Sequence, residues 1–135
     1  IQQLLAEGRL NPEKSITKKV TYHDACYLGR HNDIYDGPRK VLDSVITEKS
    51  NYIELEQSKA SSFCCGAGGG NMWHEDNKGE MVNNVRMKQI IDSGAEQVVT
   101  ACSFCMIMLD DATKAMGKVD DMNVQDIAEI IADRI

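Results

Sequence analysis

The sequence lacks several features that would each indicate a particular class of protein. No apolar stretch approaches the roughly 18 residues of a membrane-spanning helix. Basic residues are not in excess, because 21 Asp and Glu residues outnumber 15 Lys and Arg residues, and the net charge of -6 argues against a nucleic-acid-binding surface. The chain also begins at Ile1 without an initiator Met or a signal-peptide pattern. We therefore expect one domain of a longer protein that does not bind nucleic acid.

The sequence also lacks the even number of cysteines that is typical of disulfide-bonded domains. The chain has five cysteines in 135 residues, whereas disulfide-stapled secreted domains are usually smaller and carry an even number. We therefore expect a cytoplasmic protein with reduced thiols, associated with a membrane only through upstream segments or a partner. In that compartment the cysteines could form a metal or cluster site, form a redox dithiol, or be unrelated buried residues.

The most unusual stretch is Cys64-Cys65-Gly66-Ala67-Gly68-Gly69-Gly70. Glycine loses more backbone entropy on folding than any other residue, so a glycine run is expected where another group approaches the backbone closely. Two adjacent cysteines do not readily satisfy disulfide geometry with each other. The pair therefore indicates two ligands to one site, and Cys26, Cys102 and Cys105 are candidates for the same site.

Hydrophobic periodicity predicts alternating strands and helices. We expect strands at residues 18–23, 51–56, 97–101 and 118–122, of which the last has the weakest pattern. We expect helices over residues 1–10, with Pro38 in the first turn of the second, over residues 77–93, from a Ser103 cap to Met116, and after an Asn123 cap. This alternation predicts a three-layer α/β fold, with a mostly parallel four-stranded sheet and helices on both faces. Residues 1–17 are expected to be a linker helix and connection, and residues 18–135 the domain itself.

The predicted topology brings the cysteines together. Cys26 follows the first predicted strand, Cys64 and Cys65 follow the second, and Cys102 and Cys105 follow the third. The carboxyl ends of parallel strands meet at one edge of the sheet, where α/β proteins place their sites. Unrelated core cysteines would not all fall at this edge, so the sequence predicts one shared site.

Three kinds of site can be compared for these thiols. Structural zinc needs four ligands, commonly paired as Cys-x2-Cys, and only Cys102 and Cys105 have that spacing. A thiol-disulfide exchange site would use the same two cysteines and leave three unexplained. An iron-sulfur cluster binds several thiolates, and its negative charge can be offset by amide N–H groups of a glycine loop and by helix N-termini. The residues favour a cluster, with a zinc-binding domain and a thiol-exchange domain as alternatives.

At this point the sequence resembles a known family. The pattern Cys26, Cys64-Cys65-Gly66 and Cys102-x2-Cys105 is similar to that of the CCG, or cysteine-rich, domain. This domain is found in heterodisulfide reductases, in the iron-sulfur subunit of glycolate oxidase and in related iron-sulfur oxidoreductases. The likeness extends to residues 23–30, 37–39, 66–73 and 100–105, and it covers about residues 18–134.

The resemblance implies a 4Fe-4S cluster, of the non-cubane type in the heterodisulfide reductases. Its implied ligands are all five cysteines, and its implied cofactor-binding set also includes Gly66 and Gly68. The family transfers electrons to or from a disulfide, an organic acid or a quinone-linked chain. The implied partners are an upstream ferredoxin-like domain, a second CCG domain, and a flavoprotein or another iron-sulfur protein. A fragment with one CCG set is expected to be inactive alone, and it could lack the cluster or hold zinc in its place.

Other side chains near the predicted site suggest further roles. His23 is the candidate catalytic residue, because it could donate to a cluster sulfide or protonate a leaving thiolate; the alternative is a structural hydrogen bond. Arg30 and Arg39 are candidates for binding an anionic substrate such as a carboxylate. Met72-Trp73 is expected to pack over the cluster as a lid, and residues 74–76 to form a solvated helix start.

Overall fold

The computed structural model describes residues 1–73 and 79–135 and has an α/β architecture. Within these residues the sheet contains four strands, β1 Val20–Tyr22, β2 Tyr52–Ile53, β3 Gln97–Thr100 and β4 Asn123–Asp126. The strand order is β2-β1-β3-β4, and each neighbouring pair is parallel. The predicted α/β fold with a parallel four-stranded sheet is confirmed.

Helices cover both faces of this sheet. The α-helices of the described residues are α1 Gln2–Ala6, α2 Asp36–Asp43, α3 Val82–Asp92, α4 Ser103–Ala115 and α5 Ile127–Ala132. Val98 and Val99 are neighbours on β3 and point to opposite faces, yet both are fully buried. Val99 lies in a core with residues of α2 and α5, and Val98 in a core with residues of α3 and α4. None of these described helices combines the length and hydrophobicity needed to cross a membrane.

The prediction for the last strand is wrong. The strand β4 begins at Asn123, after the predicted residues 118–122, and the following helix is capped by Asp126 rather than Asn123. The Asp126 carboxylate accepts a hydrogen bond from the Ala128 amide at 2.8 Å, and the Glu129 carboxylate accepts one from the Asp126 amide at 3.0 Å. This reciprocal capping box fixes the start of α5 and leaves the preceding residues to the strand.

The other elements lie within their predicted ranges but are shorter. The helix α1 ends at Ala6, and α2 begins at Asp36, so Pro38 falls in its first turn as predicted. The helix predicted over residues 77–93 corresponds to α3. Its first two predicted positions, and the solvated helix start predicted at residues 74–76, lie outside the described residues.

The segment before β1 contributes to the core. Ile16 is only 2% exposed and lies in the same cluster as residues of α2 and α5, and Leu5 packs against that cluster. The Ile16 amide donates a hydrogen bond to the Val45 carbonyl at 2.7 Å. The domain boundary at residue 18 stays a prediction, and Ile16, Leu5 and Leu10 before it pack against the core cluster.

Candidate metal centre

The five cysteine side chains line one cavity of about 290 Å³. They are Cys26, Cys64, Cys65, Cys102 and Cys105, and all five thiols are free. Cys65 and Cys105 are buried, and the other three are half-buried. The cysteines that the sequence predicts to share a site therefore share a cavity, whereas their role as metal ligands stays a prediction.

The helix α4 holds two of these cysteines at its N-terminus. Cys102 is the N-cap residue, with an extended backbone, and Cys105 lies in the first turn. Ser103, which the sequence predicts as the cap, is instead the first helical residue, and no side chain caps this end. Because a helix N-terminus favours negative charge, this end of α4 would offset the charge of an anionic group bound between the two sulfurs.

The glycine loop supplies backbone donors to two other sulfurs. The Gly66 amide donates to Cys64 Sγ at 3.3 Å, and the Ala67 amide donates to Cys65. Gly66 has φ +91°, and a Cβ atom there would lie 3.2 Å from Val82 Cβ. A Cβ atom on Gly68 would meet nothing within 4 Å. Of the two glycines predicted to bind the cofactor, Gly66 is the one whose conformation and surroundings require glycine.

His23 lies against the buried pair of cysteines. It is 1% exposed, and single ligand atoms of His23, Cys65 and Cys105 lie within 4.8 Å of one another. A hydrogen bond from Cys105 lowers the pKa of the Cys65 thiol, and contacts from His23 and the Ala67 amide lower it further, against the effect of burial. The same sulfur-sulfur hydrogen bond and burial raise the pKa of Cys105. These contacts favour negative charge on Cys65 over Cys105.

The imidazole of His23 is itself held by Arg86, a residue absent from the sequence-based predictions. Arg86 is fully buried on α3, and its Nε donates to His23 Nδ1 at 3.2 Å. Burial lowers the pKa of His23, with the Arg86 cation acting in the same direction and the contact to Cys65 opposing them. Burial also lowers the pKa of Arg86, to about 10, so its guanidinium is still charged at neutral pH. The imidazole thus lies between the Arg86 cation and the sulfur of Cys65.

One sign of this buried arginine is present in the sequence. The buried face of α3 is formed by Asn83, Arg86, Met87 and Ile90, at the spacing i, i+3, i+4 and i+7. Two of these four are polar, so a search for an apolar stripe places Arg86 in solvent. Met87 and Ile90 define the buried face of the helix, and a polar residue on that face is the sign that could have identified Arg86 as buried.

The two candidate substrate-binding arginines have different surroundings. Arg30 is exposed, donates to the Ser62 carbonyl, and lines a small cavity beside Cys26 and Cys64. Arg39 has a side chain only 12% exposed. It donates to the carboxylates of Asp24 and Glu54 and to a backbone carbonyl. A substrate role for Arg39 stays a prediction, and protein acceptors already engage its guanidinium.

The predicted lid is present in part. Met72 is half-buried and packs against a cluster that contains Cys65 and Cys105. Trp73 also lines the cavity but is 82% exposed, so it lies at the rim and does not cover the cysteines. Tyr27 and Phe104, which are 72% and 55% exposed, complete an aromatic rim. The cavity is therefore apolar at its mouth.

The ion pair between Asp24 and Arg39, next to this site, should stabilise the metal-free chain. The Asp24 side chain is 3% exposed, accepts from two Arg39 nitrogens at 2.8 and 2.9 Å, and accepts from the Lys59 amide at 2.7 Å. Although burial raises the pKa of Asp24, the Arg39 and Lys59 hydrogen bonds outweigh it and lower that pKa. We expect Asp24→Asn to lower the free energy of unfolding by about 1–3 kcal/mol in urea denaturation at pH 7.

The control for Asp24→Asn is Glu54→Gln, because Glu54 binds the same arginine with a side chain 38% exposed. We expect this change to cost no more than about 1 kcal/mol. The stability that the Asp24 carboxylate contributes is fully present above the pKa of Asp24 in the unfolded chain. It is lost as the pH falls through the lowered pKa of Asp24 in the folded chain, below about 4. Equal losses for both variants, or no difference in acid sensitivity between Asp24→Asn and the wild type, would contradict this interpretation.

The residues around the cavity fit an iron-sulfur cluster. Five thiols exceed the four ligands of a structural zinc site. Two of the sulfurs accept backbone N–H hydrogen bonds. In addition, His23 contacts Cys65, and the buried Arg86 cation binds the far side of that imidazole. Each of these features stabilises negative charge in the cavity, as a thiolate-bound cluster requires.

Comparison with known proteins agrees with this chemistry. The profile of the family described as "Cysteine-rich domain" (CCG) matches residues 20–110. The chain is 41% identical to "EtfAB:quinone oxidoreductase" of Syntrophomonas wolfei subsp. wolfei over 97% of its length. It is 35% identical to "Probable iron-sulfur-binding oxidoreductase FadF" of Bacillus subtilis over 100% of its length. It is 36% identical over 100% of its length to one subunit of the "Dihydromethanophenazine:CoB--CoM heterodisulfide reductase" of Methanosarcina mazei.

The chain covers 19% of the length of each of the first two proteins and 32% of the third. A comparison with solved structures found no significant match. The matched residues 20–110 include all five cysteines and exceed half of the chain. The chain therefore belongs to the cysteine-rich CCG domain family.

Proposed function

We propose that this chain is the cluster-binding, electron-transferring domain of an iron-sulfur oxidoreductase, and that the cluster is of the 4Fe-4S type. The observation that supports this most directly is the single cavity lined by all five cysteines. The relatives named as iron-sulfur or redox proteins support the same class of function. An iron-sulfur cluster supplies reversible one-electron chemistry when bound.

The proposed ligands are the five cysteines, and the surrounding residues have separate tasks. The amides of Gly66 and Ala67 donate to sulfurs and offset their charge. Met72 packs against the buried pair Cys65 and Cys105 and reduces the access of water to it. Arg30 is the proposed contact for an anionic group at the mouth, because it lines the adjoining cavity and is exposed.

We propose a quinone-linked chain as the electron acceptor of the longer protein. The identity of 41% to an EtfAB:quinone oxidoreductase supports this assignment. Electrons would arrive from a flavoprotein or from a ferredoxin-like domain, and a second CCG domain would complete the site. We place the protein in the cytoplasm or on the cytoplasmic side of a membrane, because the five thiols are free.

The deciding experiment is anaerobic reconstitution with iron and sulfide, followed by assays of iron, acid-labile sulfide and zinc per chain. We expect about four irons and four sulfides, with an EPR signal after reduction. Tight zinc with no uptake of iron would replace this function by a zinc-stapled domain. A chain that retains no metal and reversibly joins Cys102 to Cys105 would indicate thiol-disulfide exchange.

The loaded chain also separates an electron relay from a disulfide reductase. A relay should show the same EPR spectrum with and without a small disulfide, because no acceptor binds at the cluster. A changed spectrum would contradict the relay and favour reduction of a disulfide at this site.

A further inference from the structure

Arg86 is a buried cation whose hydrogen-bond acceptors are all neutral. It is 0% exposed, and its donors reach the Gln57 carbonyl at 3.1 Å, Gln89 Oε1 at 2.9 Å, Ser62 Oγ at 3.4 Å and His23 Nδ1 at 3.2 Å. Burying a charge is costly unless an opposite charge lies nearby, and the Asp24 carboxylate acts on Arg86 without a direct hydrogen bond to it. Next to His23 lies the cysteine cavity, which would supply further negative charge when its thiolates hold a cluster.

The contact between Arg86 and His23 also decides where the imidazole proton lies. Arginine can only donate, so His23 Nδ1 must offer its lone pair to Arg86 Nε. A neutral imidazole then has its proton on Nε2. This leaves the Nε2–H group for the contact with the Cys65 sulfur, which lies within 4.8 Å of a ring nitrogen of His23. Without Arg86, only the acceptor sulfur of Cys65 would favour a proton on that nitrogen, and no donor would hold Nδ1 as the acceptor.

We propose that Arg86 is a positioning residue that fixes His23 in the Nε2–H form, so that His23 donates to the Cys65 sulfur, and that its buried charge raises the reduction potential of the site. The proposal rests on the proposed function, because it assigns a potential to the bound cluster. Hydrogen bonds to cluster sulfurs and nearby charge are known determinants of that potential.

The direction of the effect follows from the charge that reduction adds. When an external reductant such as dithionite gives the site one electron, the site becomes more negative by one charge and no proton moves. A fixed cation behind Cys65 stabilises the more negative state more than the less negative one. A hydrogen bond from His23 to the same sulfur acts in the same direction.

The first test is the midpoint potential of the reconstituted chain, measured by EPR-monitored redox titration. We expect Arg86→Met to lower the reduction equilibrium constant about tenfold, which is 59 mV for one electron. Arg86→Lys keeps the charge but loses the Nε donor, so its shift should be smaller. Gln89→Ala is the matched control, because it removes another partner of Arg86 and leaves the His23 contact in place. An unchanged potential in Arg86→Met, or an equal shift in Gln89→Ala, would overturn the proposal.

The second test does not require a cluster. Nitrogen-15 NMR of the reduced, metal-free chain reports which nitrogen of His23 is protonated. We expect protonated Nε2 and unprotonated Nδ1 in the wild type and in Gln89→Ala, and a weaker preference in Arg86→Met, where only the Cys65 sulfur still favours the Nε2 proton. A proton on Nδ1 of the wild type would overturn the assignment, even if Arg86→Met fails to hold a cluster. If the wild type takes up no iron, the proposed function and the effect on potential both fail, whereas the NMR result still decides the tautomer.

Discussion

Replacing Cys65 with alanine should remove most of the iron and sulfide from the reconstituted chain and abolish its EPR signal. Cys65 is 4% exposed, contacts Cys105 and His23, and accepts from the Ala67 amide. Alanine offers no ligand atom, and a position only 4% exposed gives little access to a water that could replace the sulfur. Because changes to residues behind metal ligands typically cost 10–100-fold in metal affinity, loss of a ligand should cost more than about 100-fold. Iron and sulfide assays after desalting measure this loss.

The matched control is Ser103→Ala, a small exposed residue beside Cys102 at the start of α4. This variant should retain its iron, because Ser103 is exposed and does not line the cysteine cavity. Cys26→Ala and Cys64→Ala should lose iron as Cys65→Ala does. Full iron in those three variants, with metal lost only from variants of Cys102 and Cys105, would show that the five cysteines do not act together.

Gly66→Val should lower the free energy of unfolding of the metal-free chain by about 3–5 kcal/mol. The backbone at Gly66 has φ +91°, which a β-branched residue adopts only with strain. Its first side-chain carbon would also lie 3.2 Å from Val82 Cβ and 3.4 Å from the Asn83 amide nitrogen. Relieving both conflicts would move the loop away from α3 and break the hydrogen bond from Gly66 to Cys64. Urea denaturation measures the loss, and reconstitution should show weaker retention of iron.

Gly68→Val is the comparison that separates this effect from a general sensitivity of the glycine run. Gly68 is exposed, lacks a positive φ, and has no atom within 4 Å of the position of a Cβ. We expect a change within about 0.5 kcal/mol. Similar destabilisation by both substitutions would mean that the loop needs flexibility as a whole, and that the contact with Val82 is not the reason for glycine at position 66.

The fold could be predicted because its main determinants are local. Val98 and Val99 form a short apolar strand that is followed at once by an amphipathic helix, and this pattern is visible in any window of the sequence. The prediction for the last strand falls too early because the residues of that strand are mostly polar. Its position depends on the capping box formed by Asp126 and Glu129, three residues apart, which an apolar pattern does not reveal.

The site could be predicted only as far as its cysteines. Their positions after successive strands follow from topology, so their shared cavity is the expected result. The contacts of Arg86 with His23, 63 residues away, and of Arg39 with Asp24 depend on how elements pack against one another. The difference between Gly66 and Gly68 likewise depends on Val82. No periodicity in the sequence encodes such long-range contacts.

The strand order has a consequence for the kinetics of assembly. β1 lies between β2 and β3, and the His23 amide donates to the Val99 carbonyl at 2.8 Å. The loop that contains Cys26 therefore meets the turn that contains Cys102 only after a distant part of the chain has joined the sheet, which is a slow kind of step. Before that step, a metal ion meets only thiols that are close in sequence, such as Cys64 with Cys65. Assembly of the complete site therefore requires that the nascent chain complete its sheet before it binds metal. Metal that arrives earlier can be captured by an incomplete set of ligands.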